Sequence, residues 1–206
     1  MSDASKRSKG KSAGDLMQEL QSDSEFVARR REREAVRDEL EQRLRREERP
    51  LIADLARAGV KVESVWDLVN TAKPYPEAIA TLTAHLNRDY SDRIQEGIAR
   101  ALTVKEARRP DVGAALIAGF RASRDVTTLG AKWALANALC VVAGEDALET
   151  VAALALDRAH GESRRPLVAL LGNFDDPRAR SALAHLVNDP EVSDEAHAAL
   201  GQEKRT

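Results

Sequence analysis

Aromatic residues make up only 3% of this 206-residue chain, and it carries a single cysteine, Cys140. One thiol excludes an intrachain disulfide and every paired-cysteine metal motif, and it fits a reducing compartment. Long apolar runs are also missing: nowhere do the roughly 20 consecutive apolar residues that span a bilayer occur. The stretch 1–14 has no apolar core of a secretory leader, so a cytoplasmic protein is expected. Charge of one sign is lacking too, with 32 Lys and Arg against 34 Asp and Glu and a formal net charge of −2. Bulk attraction to nucleic acid or anionic membranes is therefore not expected, and any basic site must be local. There is no Gly-rich phosphate loop, no G-x-S-x-G elbow and no H-E-x-x-H. None of His85, His160, His185 and His197 lies four residues from another. They read as surface or cap residues, Cys140 as a buried inert thiol, and Asp175-Asp176 before Pro177 as a helix cap. No catalytic residue, metal or cofactor is expected.

What is present is a helix-former's palette, in which hydrophobic residues are 43% of the chain and mainly Ala, Leu and Val. Three regimes follow one another. Residues 1–14, with Lys6, Arg7, Lys9 and Lys11, are too polar to bury a core and are expected to be a disordered basic tail. Residues 15–49 have the pattern of one charged amphipathic helix, with Leu16, Met17 and Leu20 and then Val36, Leu40 and Leu44 forming a thin apolar stripe. Arg and Glu fill most other positions and offer pairs such as Glu39 with Arg43. This helix is either a solvated lead into the domain or an arm that pairs with a copy of itself or grips nucleic acid; no sustained heptad appears.

After Pro50 charge density falls and apolar periodicity strengthens. Leu51, Ile52, Leu55 and Ala56 mark a short helix ending near Gly59, and Ser64 with Asp67 forms a capping box for a second, through Val65, Trp66, Leu68 and Val69. This helical cap covers residues 50–73, with Trp66 in its apolar interior. From Pro74 a helix pair recurs. Its second helices run 94–102, 131–139, 163–171 and 192–200, and their closing leucines (Leu102, Leu139, Leu171 and Leu200) are 37, 32 and 29 residues apart. The first helices run 77–86, 112–122, 147–156 and 178–187. Such spacing is that of helical-hairpin repeats.

The sequence Asn188 to Gly201, NDPEVSDEAHAALG, has an Asp-Pro turn, a Val, a helix of alanines and a closing Leu-Gly, and Ser163 to Gly172, SRRPLVALLG, repeats the ending. These segments resemble HEAT repeats, and more narrowly the bacterial PBS-lyase HEAT-like repeats. The basic residue that family often places after the Val position is matched by Lys132 and Arg164, but not by Gln95 or Ser193. The resemblance covers about 74–201. It implies an all-α fold, a HEAT-like α-solenoid of about four helical hairpins (74–206) with the helical N-terminal cap and the charged N-terminal helix before it.

In such a stack each hairpin buries one face on its neighbours, and successive second helices line a concave surface. Positions six and two before each closing leucine give Glu96 and Arg100, Trp133 and Asn137, Arg165 and Ala169, Asp194 and Ala198. With Lys132 and Arg164 beside them, the candidate partner-binding residues are Glu96, Arg100, Lys132, Trp133, Asn137, Arg164, Arg165 and Asp194. Trp133 stands out as an aromatic near basic residues, the types enriched at interaction hot spots. The preferred reading is a non-catalytic protein-binding module: an adaptor, assembly factor or neutralising partner. The alternative is a nucleic-acid-binding protein, of the HEAT type that includes DNA glycosylases, with Lys132, Arg164, Arg165 and the basic tail on phosphates. A chromophore-lyase-like enzyme stands third, supported by the repeat resemblance alone.

Overall fold

The computed structural model describes residues 24–124 and 130–201, and every regular element among them is helical. The chain divides into two compact units, residues 1–46 and 47–206. The basic tail, Leu16, Met17 and Leu20 lie outside the described residues. Helix α1 spans Ser24–Arg57. From Ala28 to Arg43, within the first unit, every side chain is exposed, including Val36 at 62% and Leu40 at 45%. Glu25 with Arg29, Arg30 with Glu34 and Glu41 with Arg45 form one-turn ion pairs, other pairs than the Glu39 with Arg43 that the sequence offers. Exposed pairs of this kind contribute about 0.3–0.5 kcal/mol each.

Within the second unit, the short helix expected to begin at Leu51 is instead the C-terminal part of α1, with Pro50 inside it. Leu51 and Leu55, one turn apart, are fully buried. Their burial holds the helical course across a residue that ordinarily breaks it. Helix α2, Val65–Val69, opens on the expected capping box: the Ser64 hydroxyl accepts from the Trp66 N–H and the Asp67 carboxylate accepts from the Ser64 N–H. The Glu48 carboxylate, only 5% exposed, also accepts from the Val65 N–H, at 2.5 Å. Burial pushes this carboxyl above its ordinary value. Glu47 accepts from the Ser91 N–H. These two glutamates, which the sequence pattern places among the solvated charges, attach residues 47–57 of α1 to the helices after them.

Among the described residues eight further α-helices follow in pairs: α3 (Ile79–Leu86) with α4 (Asp92–Ala101), α5 (Pro110–Ala122) with α6 (Ala131–Val142), α7 (Leu148–Leu156) with α8 (Arg165–Leu171), and α9 (Pro177–Leu186) with α10 (Ser193–Gly201). The boundaries agree closely with those read from the closing leucines. Proline stands in the first turn of α5, α8 and α9, where no intrahelical donor is needed, and the Asp176 carboxylate accepts from the Arg178 N–H at the start of α9. Each helix packs on its pair-mate, and the even-numbered helices pack in succession, α2 on α4, α4 on α6, α6 on α8 and α8 on α10. Among the odd-numbered helices α3 packs on α5 and α7 on α9, but α5 and α7 make no comparable contact. Fully buried Ala99, Ala101, Ala136 and Ala138 permit the close approach of α4 and α6, while Ile94, Ile98, Leu102, Leu135 and Leu139 fill the core around them.

Two cations lie inside this core. Arg164 has no exposed surface. Its guanidinium donates to the carbonyls of Gly161 (3.0 Å) and Ala155 (3.2 Å), to Asp189 at 2.9 Å and to Glu191 at 2.6 Å. Burial works against its charge, but the two carboxylates more than offset that. Lys132, 2% exposed, donates from Nζ to the Ser123 carbonyl at 2.8 Å and sits 5.1 Å from the centre of the Phe120 ring. Removing one partner of a buried pair leaves the other charge uncompensated, at a cost of about 3–5 kcal/mol. The Arg164 hydrogen bond holds Asp189 below the ordinary aspartate value of 3.8. Asp189 therefore stabilises the fold above that value, and its contribution is lost as pH falls through the lower folded-state value. Asp189→Asn is expected to lower urea stability by about 3 kcal/mol at neutral pH, with the gap to the parent closing as the acid limb is entered. An equal gap at neutral and strongly acidic pH would show that ionisation of Asp189 is not what matters.

Candidate binding site

The predicted surface row divides into two sets. Glu96 and Arg100 on α4, Trp133 and Asn137 on α6, Arg165 on α8 and Asp194 on α10 all keep solvent-accessible surface. They occupy equivalent positions on helices that pack in succession. Lys132 and Arg164 do not belong to this surface, because the core described above buries them. The correction has a simple geometric cause: adjacent residues on a helix point about 100° apart. Trp133 and Arg165 therefore face outward where Lys132 and Arg164 face in.

The row is held by polar contacts. The Arg100 guanidinium lies 2.8 Å from Glu96, and Arg93 lies 3.2 Å from the same carboxylate. Arg93 also stacks over Trp66, 3.6 Å from the ring centre, an arrangement worth about 0.5–1 kcal/mol at exposed sites. Trp66 is thus half-buried on α2 beneath a guanidinium rather than enclosed in the cap. Its indole, with Val65, closes over Gly97, where an added Cβ would stand 2.5 Å from Val65 Cγ1 and 3.1 Å from Trp66 Nε1. The Asn137 amide donates to the Trp133 carbonyl, and Arg165 donates to the Glu191 carbonyl at 3.0 Å while approaching Glu195 at 3.7 Å. At the start of α6 the Asp92 carboxylate accepts from the Ala131 N–H, so α4 caps the next even-numbered helix.

The histidines divide in the same way. His185 and His197 are exposed, as expected. His85 is 1% exposed, with Nε2 2.8 Å from Asp54 and Nδ1 2.7 Å from the Tyr90 hydroxyl, so it ties α1 to α3. The hydrogen bond to His85 holds the Asp54 carboxyl below its ordinary value. With both ring nitrogens engaged and the ring enclosed, His85 has no route to an outside substrate. His160 is also buried, edge-on to Phe120 at 4.8 Å, and burial lowers its basicity. Among the described residues no three His, Cys, Asp or Glu side chains converge as metal ligands, and no helix is long and apolar enough to cross a membrane.

Where α5 and α7 part, a groove of about 650 Å³ opens over Ile117, Cys140, Val142, Leu170 and Phe174. Its signal in the sequence is weak, since its apolar floor comes from three places: Ile117 in α5, Cys140, Val142 and Leu170 near the ends of α6 and α8, and Phe174 beyond α8. Cys140 is part-buried in this groove, and its thiol donates to the Pro166 carbonyl at 3.1 Å. Burial pushes its pKa up to about 11. No family model matches this chain, and neither a curated protein nor a solved structure is matched by it.

Two outcomes check this geometry. Thiolate chemistry at Cys140 is expected to run about 100-fold slower in the native protein than in denaturant at mildly alkaline pH; equal rates would mean that the thiol is not shielded. Gly97→Ala is expected to cost about 1–3 kcal/mol by forcing buried Val65 off α4, read as a lower urea midpoint. No change in that midpoint would show that α2 yields easily.

Proposed function

We propose that residues 74–201 form a HEAT-like solenoid and that this protein is a non-catalytic protein-binding module, its even-numbered helices lining the concave face. The reading is supported by the packing of the two ranks. In a curved two-layer stack the inner rank is compressed and the outer rank spreads, and here the even-numbered helices pack without interruption while α5 and α7 part. The observation that carries the binding role is the part-exposed Trp133 in line with Arg165 on the adjacent helix, in a chain with two tryptophans. An indole and a part-desolvated guanidinium at equivalent positions of two packed helices have the composition of an interaction hot spot, and ion pairs restrain Arg100 and Arg165 in the same row.

The nucleic-acid reading loses two of its three helix-borne cations, since Lys132 and Arg164 are occupied in the interior. Glu96 and Asp194 stand in the row that remains, and the basic tail lies outside the described residues. No observation favours a lyase-like or glycosylase-like activity.

The test is capture of partners from the native cell lysate on the tagged protein, with and without nuclease, beside a variant carrying Trp133→Ala and Arg165→Glu. A stoichiometric protein that survives nuclease is expected to bind at least about 30-fold more weakly to the variant, with helical circular dichroism unchanged. Full retention by the folded variant places the interface elsewhere. Recovery of nuclease-sensitive nucleic acid alone overturns the proposal.

A further inference from the structure

Beside the row, a second cavity of about 370 Å³ lies between the loop after α2 and the C-terminal end of α4. Its apolar lining comes from Leu68, Val69 and Val104. Lys73, Arg100 and Lys105 surround it, against the single carboxylate of Glu106. Lys73 and Lys105 are exposed, and neither has an ion-pair partner among the described residues. Arg100 is oriented by its contact with Glu96. Tyr75 fixes one wall by donating to the Ala101 carbonyl at 3.0 Å, and burial together with nearby Glu106 pushes its phenol above the ordinary value. The wall is therefore attached to α4 rather than free to collapse into the space.

Resting on the protein-binding reading above, we infer that this pocket receives an acidic segment of the partner, a carboxylate side chain next to an apolar one. The carboxylate is held by Lys73, Lys105 and the free edge of Arg100, and the apolar neighbour rests on Leu68, Val69 and Val104. Charge complementarity selects the sign of the ligand: two lysines without an ion-pair partner among the described residues, and Arg100 paired with Glu96, surround the pocket against the carboxylate of Glu106, in a chain whose overall charge is slightly negative. The cavity has room for one or two side chains. A polynucleotide requires a track of cations at phosphate spacing, and burial of Lys132 and Arg164 removes that track from the neighbouring helices. Arg100 belongs both to the pocket and to the row, so a bound segment continues from one into the other.

The probe is a short fluorescein-labelled peptide of glutamate interrupted by leucine. A glutamine-for-glutamate version and an oligothymidylate of equal length serve as comparisons, with anisotropy measured on the full chain at low salt. The acidic peptide is expected to bind, to perturb the amide resonances of Lys73, Tyr75 and Lys105, and to weaken at least about tenfold in a variant with Lys73→Glu and Lys105→Glu. Charge reversal at exposed Arg180, away from the pocket, is expected to leave the affinity unchanged. Equal binding of the glutamine peptide, stronger binding of oligothymidylate, or indifference to the lysine reversals would each overturn the inference. The Trp133 and Arg165 variant is expected to bind the short peptide normally. If cellular partner capture depends on Trp133 and Arg165 but not on the two lysines, the protein-binding reading stands and the pocket assignment alone falls.

Discussion

A charge taken out of water sets the order of this fold. Arg164 enters the core at the start of α8, and its guanidinium survives there only because Asp189 and Glu191, from the turn before α10, come to meet it. The backbone carbonyls of Ala155 and Gly161 complete the set of acceptors. An isolated buried guanidinium would cost several kcal/mol, so the α8 start and the α9–α10 turn hold each other in a single arrangement. Lys132 does the same at the start of α6 with the Ser123 carbonyl, and there the Asp92 carboxylate caps the helix from α4. Polar ties between neighbouring even-numbered helices thus supplement the apolar contacts and set their register.

These ties bear directly on what the surface can do. Lys132, next to Trp133, and Arg164, next to Arg165, are consumed inside, and on the exposed side Arg93 and Arg100 are paired with Glu96 while Arg165 lies beside Glu162 and Glu195. On the proposed protein-binding reading, such a row suits a partner with polar groups of both signs better than a uniform polyanion. The lysines at the α2–α4 pocket are the exception, being exposed and unpaired by their neighbours. Interaction energy in such a surface concentrates at the aromatic residue and at desolvated charges, with the remaining contacts excluding water.

Much of the helical framework was legible. Leucines at repeat spacing, Pro in first turns, the Ser64 and Asp67 capping box and Asp176 before α9 mark local events, and each depends on residues within one turn of the chain. Pro50 was misleading for the same reason. Its local rule says stop, while Leu51 and Leu55 are held helical by burial against residues far along the chain. Trp66 and His85 were misjudged in opposite directions. An apolar neighbourhood suggested a buried indole, and polarity suggested an exposed imidazole. Arg93 and Gly97 hold the indole at the surface, while Asp54 and Tyr90 satisfy both nitrogens of an enclosed imidazole.

By itself, then, the sequence determined that the described chain is helical, where each of the paired helices after residue 75 begins and ends within a few residues, and which helical positions recur. Helix periodicity and capping are short-range consequences of backbone geometry, and they can be read without a partner. Only the tertiary structure decided which of two adjacent basic residues faces water, as between Arg164 and Arg165. That outcome depends on hydrogen-bond acceptors that arrive from 25 and 27 residues away, in the cases of Asp189 and Glu191 for Arg164. No local pattern encodes the desolvation balance that such distant acceptors settle.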